Sequence, residues 1–166
     1  IAALRRNISN PRYLVGRLLE IVRTSGMTAF YVATLRLRCL VQGFRCGGRL
    51  DVYGWAILRG PAGTIEIGSE IALISSPWRS SAASVMGPVR LRTFTKEARI
   101  VIEDGCGLNG TSLTARTRTI RVKRNAMFGP DCMVVDSDFH EPWPPEARKV
   151  NPGFHRDADV TIGENA

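Results

Sequence analysis

The chain has 166 residues and a formal net charge of +8, a length that suits one domain with a buried core. Hydrophobic residues at 44% and charged residues at 23% are ordinary for a soluble globular protein and exclude collagen-like, wholly disordered and multi-span membrane classes. The charge is unevenly placed: residues 1 to 49 hold nine arginines (5, 6, 12, 17, 23, 36, 38, 45 and 49) against Glu20 alone, whereas the other 117 residues carry fourteen basic and fourteen acidic side chains, so electrostatic attraction to a partner belongs to the N-terminal segment.

From Pro11 to about Val41 the pattern is helical. Leu14, Leu18 and Val22 fall on one face, Val15, Leu19 and Ile21 widen it, and Arg12, Arg17 and Arg23 lie off its centre. Pro11 suits a first helical turn with Asn10 as N-cap. Ser25 and Gly26 are expected to break this helix, with a second running from Met27 to about Val41. Residues 1–42 thus form a basic amphipathic segment, suited either to peripheral docking on an anionic membrane surface or to capping the remainder of the chain. The apolar stretch Met27 to Leu35 is too short to span a bilayer, which takes roughly 20 residues, and no secretory signal is evident. Cys39, Cys46, Cys106 and Cys132 form no C-x-x-C pair and read as free, packed thiols of a reducing cytoplasm.

Beyond residue 43 the chain repeats itself. Ile65-Glu66-Ile67, Ile100-Val101-Ile102, Ile120-Arg121-Val122 and Val160-Thr161-Ile162 each lead into turn residues and then a small or apolar one. The aliphatic position recurs at six, as in Ile67 and Leu73, Ile102 and Leu108, or Val122, Phe128 and Val134. The position four after it is small at Cys106, Ser112, Ala126 and Cys132. A six-residue period fits neither a helix face nor a simple hairpin; it suits a chain that turns a corner every six residues and stacks its coils into a solenoid. Ile102 to Val122 is then one coil with a two-residue insertion, Ile67 to Ile102 a coil extended by the polar run Ser75 to Ser84, and Val134 to Ile162 a coil carrying an insertion over residues 136–159. That insertion holds both histidines and Pro142, Pro144 and Pro145.

Val134-Val135-Asp136-Ser137-Asp138-Phe139-His140-Glu141-Pro142-Trp143-Pro144-Pro145, coming after those hexads, resembles the active-site loop of bacterial hexapeptide-repeat acetyltransferases, notably the sugar O-acetyltransferases of polysaccharide assembly and the maltose and galactoside acetyltransferases. The resemblance covers residues 43–166. It implies a left-handed parallel β-helix, against the usual right-handed crossover, assembled as a homotrimer with active sites between subunits, and a histidine base at His140.

The residues support that chemistry independently. Moving an acetyl group from acetyl-coenzyme A to a sugar hydroxyl needs a base, and imidazole titrates in the right range. His140 is the candidate. Asp136 or Asp138 would orient its ring or position the acceptor hydroxyl, while a backbone N–H would stabilise the oxyanion. Asn109 is either an acceptor contact or a turn asparagine, and Trp143 is a sugar platform or a loop anchor. His155 reads as a plain loop residue. Arg116, Arg118, Arg121, Lys123 and Arg124 either meet coenzyme A phosphates or form a solvated face; alternation along a strand scatters them, against nucleic-acid binding. Two histidines are too few for a β-helix carbonic anhydrase, and no zinc site or other metal is expected. The coenzyme A contacts are expected mostly beyond Ala166, because the chain starts at Ile1 and stops mid-coil, as a fragment would. The expectation is a cytoplasmic acetyl-coenzyme A dependent saccharide O-acetyltransferase; N-acetylation of an amino sugar and a non-catalytic scaffold are the alternatives.

Overall fold

A computed structural model describes residues 11–79, 84–150 and 152–166. One helix, α1 (Pro11–Gln42), takes the place of the two expected on either side of Ser25-Gly26. A lone interior glycine costs a helix about 1 kcal/mol relative to alanine, which weakens it without ending it. The helix stops instead at Gly43, whose φ of 68° is left-handed. There the Gly43 N–H donates to the Leu40 carbonyl and the Phe44 N–H to the Cys39 carbonyl, at 3.3 and 2.8 Å, the paired bonds of a Schellman cap. The expected cap at Asn10 lies outside the described residues. Among the described residues, no helix is long and apolar enough to cross a membrane.

Among the described residues, twelve short strands come after the helix: β1 (Arg45–Cys46), β2 (Leu50–Tyr53), β3 (Ile57–Arg59), β4 (Ile65–Ile67), β5 (Ile71–Ile74), β6 (Arg90–Thr93), β7 (Arg99–Ile102), β8 (Gly107–Asn109), β9 (Ser112–Ala115), β10 (Thr119–Val122), β11 (Met133–Val135) and β12 (Val160–Ile162). All pair in parallel, in three sheets ordered β1-β4-β7-β10-β12, β2-β5-β8 and β3-β6-β9-β11. The chain visits the sheets in rotation, so strands of successive coils lie side by side in a β-helix-like arrangement. The four repeated segments become neighbours, with Ile65, Ile100, Ile120 and Val160 in register.

Each strand after β1 aims an aliphatic side chain inward, and the coils stack these into columns. Leu58, Leu91 and Leu113 form one, Ile65, Ile100 and Ile120 a second, and Leu73 and Leu108 a third; all are fully buried. Such side chains contribute about 1.5–3 kcal/mol each on burial. The coil from Ile102 to Val122 reaches its two-residue excess unevenly. Leu113, not Thr114, sits in register with Val134, so the corner before β9 is one residue short and the corner between β9 and β10 three residues long. Thr111 therefore takes the inward small position expected of Ser112, which is only half-buried, as is Cys132. All four thiols are free, with Cys39 and Cys106 buried.

The C-terminal half of α1 closes the first coil. Leu35 and Cys39 are buried there, with Tyr31 and Val32 packed beside them. Arg36 donates to the Gly48 carbonyl, and Arg38 donates to the Ala56 carbonyl at 2.8 Å while lying over the Trp55 ring. The opposite face of α1 shows Val15, Leu18, Leu19, Phe30, Leu37 and Leu40 to solvent.

Candidate active site

The loop of residues 136–159 leaves β11 and re-enters β12, and it is anchored at both ends. Asp136 is buried and its carboxylate accepts three backbone N–H groups, those of Arg116 (2.7 Å), Thr117 (3.0 Å) and Arg118 (2.8 Å). These three amides belong to the overlong corner between β9 and β10, where a standard turn would not satisfy them. At the far end the Ala158 N–H donates to the Asp136 carbonyl at 3.0 Å, clasping the loop shut.

Arg116 fills the loop's base. Only 5% exposed, its guanidinium grips both oxygens of Asp157 and the Pro152 carbonyl and lies against the rings of Phe139 and Phe154. Burial alone would raise the Asp157 carboxyl, but hydrogen bonds from Arg116, Thr117 and Ser137 outweigh it and hold the pKa down at about 2. Arg116 is thus an internal strut. Arg121 and Arg124 pair at the surface with Glu103 and Glu164.

The candidate residues occupy different positions along the loop. His140 is exposed and comes directly after Phe139, whose φ of 63° is rare for an aromatic residue. That turn is held by the Phe139 N–H donating to Ser137 Oγ at 2.8 Å and by Phe139 packing edge-on against Phe94. Asp138 is exposed and accepts from Arg156 Nε at 2.8 Å. Both aspartates are therefore engaged away from His140. The carboxylate–imidazole pairing sought there occurs instead between Glu141 Oε2 and His155 Nε2, 3.5 Å apart, with the Glu141 side chain 15% exposed. Gly153, at φ 62°, brings the returning chain against the His140–Glu141 peptide, where a Cβ would sit 3.3 Å from the backbone. The Asn109 side chain donates to the Phe128 carbonyl at 3.0 Å, joining two coils. Trp143 is 74% exposed at the loop tip.

Beside the loop, a groove of about 450 Å³ crosses the outer face of the β3-β6-β9-β11 sheet. Arg90 and Arg92 stand at one side, Ser112 and Thr114 form its floor, and Met133, Val135, Phe94 and Phe139 supply its apolar lining. Sequence reasoning missed the groove because its residues are spread from Gly87 to Phe139 and meet only through the coil register. It missed Glu141 and Asp157 because neither lies in a repeat. No family model matches the sequence, and neither a curated protein nor a solved structure is significantly similar to it.

Proposed function

We propose that this chain is an acetyl-coenzyme A dependent O-acetyltransferase of the left-handed hexapeptide-repeat type, acting as a homotrimer on a saccharide in cell-surface polysaccharide synthesis. What supports the reading most is the placement of His140: it is exposed, carried on a loop pinned by Asp136 and Arg116, and follows directly on Phe139, which lines an open groove. Rigid anchoring of a loop whose functional group faces solvent is what proton transfer at a bound hydroxyl requires. His140 takes the hydroxyl proton as the oxygen attacks the thioester carbonyl. The tetrahedral intermediate then collapses, the thiolate leaves, and the proton returns to sulfur, with no covalent enzyme intermediate. The exposed apolar face of α1, with arginines along the segment, docks on an anionic membrane near a lipid-linked glycan.

A second assignment of the base rests on one contact, the Glu141 carboxylate oxygen 3.5 Å from His155 Nε2, which sets an acid beside that ring. Acetyl transfer from acetyl-coenzyme A to a panel of hydroxy and amino sugars separates the two. His140→Ala is expected to lower turnover about a hundred-fold or more while His155→Ala retains most of it. The reverse ranking would assign the base to His155, and a full panel without transfer by the wild-type full-length protein would refute the enzyme.

A further inference from the structure

On the outer face of β3 and β6, Arg59 and Arg92 stand directly opposite each other in register, with Arg90 two residues along on the same side. A second, smaller hollow beside the groove is lined by Ile57, Arg59, Arg90 and Arg92, so the two depressions share both β6 arginines and run on from one another. Like charges facing each other across a ladder destabilise a sheet. Three other outward arginines do meet a glutamate of the adjoining coil: Arg45 with Glu66, Arg121 with Glu103, Arg124 with Glu164. Among the described residues none of Arg59, Arg90 and Arg92 has an ion pair; Arg92 lies over the Phe94 ring, 4.2 Å from its centroid. The carboxylate lining the groove, Asp131, accepts the Met86 and Gly87 backbone N–H groups and lies at the opposite end of the sheet face from Arg92.

We infer that this arginine cluster binds the diphosphate of a saccharide carried on a diphosphate, and that this is the acceptor class. Its standing as an acceptor rests on the acetyltransferase reading; the anion site does not. Paired guanidinium groups on neighbouring strands match the charge and the several oxygens of a diphosphate, which stacking on Phe94 helps to align. The scale fits. Neighbouring coils are roughly 4.8 Å apart, so Val135 lies about 10 Å from Arg92 across the intervening Thr114. A diphosphate held between Arg59 and Arg92 therefore sets its sugar over the Ser112 and Thr114 hydroxyls, against Phe94 and Phe139, the residue that precedes His140.

Calorimetric titration of the whole chain at low salt tests this with four probes: uridine diphosphate glucose, farnesyl diphosphate glucose, free glucose and desulfo-coenzyme A. Both diphosphate sugars are expected to bind, the tighter one naming the carrier, and glucose at the same concentration is not. Arg59→Gln and Arg92→Gln should each weaken binding about ten-fold, with Arg121→Gln, on a different sheet, leaving it unchanged. Matching melting temperatures would show the variants folded, and Arg92→Lys should restore part of the loss. Unaltered affinity in the Arg59→Gln/Arg92→Gln pair overturns the inference, as does displacement of the sugar diphosphates by desulfo-coenzyme A. Acetyl transfer to glucose by a chain that binds neither diphosphate sugar would sink this inference alone. Tight arginine-dependent binding without transfer would sink the acetyltransferase reading and leave the anion site standing.

Discussion

Asp136 and Asp157 grip the same corner from two sides, one through backbone amides and the other through Arg116. Because the Asp157 pKa falls from 3.8 in the unfolded chain to about 2 when folded, its contribution is present in full above the unfolded value and is lost as pH drops through the folded one. The shift corresponds to about 2 kcal/mol. Urea midpoints measured between pH 6 and pH 2 are therefore expected to fall steeply below about pH 4 for wild type. Asp157→Asn should be less stable at pH 6 and should lose that part of the slope; an unchanged slope would show that the ion pair is not formed. At this scale the sequence placed Asp136 in the right loop and suggested a role toward His140. What it could not convey is that three extra residues at a corner twenty positions earlier leave three amides in need of an acceptor, a need that arises only once coils are stacked.

The strands were the most legible elements. Four aliphatic triplets that resemble one another in sequence prove to be neighbours in one sheet, because stacking the coils brings them into register whatever the length of the insertions between them. The helix was less so, and Gly26 and Gly43 show why. Gly26 lies inside α1 with nothing within 4 Å of where a Cβ would stand, whereas Gly43 holds a left-handed cap with the Ala62 Cβ 3.0 Å away. Both read as glycine near a helical pattern; only the backbone angle tells a tolerated interior residue from a terminator. Gly26→Ala is accordingly expected to raise stability by about 1 kcal/mol. Gly43→Ala should lower it by about 1–2 kcal/mol, both read from thermal or urea midpoints. The same sign for both would contradict the cap.

Taken whole, the molecule separates a basic helix from a coil whose charges balance, and the helix carries apolar side chains on both its faces. One face closes the first coil through Leu35 and Cys39; the other, with Leu18 and Leu37, meets solvent. Sedimentation with phosphatidylglycerol-containing vesicles, against phosphatidylcholine alone, is expected to show salt-sensitive binding that Leu18→Glu/Leu37→Glu reduces about ten-fold or more. Equal binding by the variant would end the membrane reading, and self-association abolished by the same substitutions would assign the face to a second copy. The clasp between Asp136 and Ala158 has a different consequence. Because the two ends of the loop touch, and Arg116 and Phe94 hold only its base through Phe139, Pro152, Phe154 and Asp157, the stretch between Phe139 and Pro152 can change in length or content without disturbing the register of the stacked coils. Selectivity for the acceptor is then free to change while the scaffold and the base of the loop stay the same.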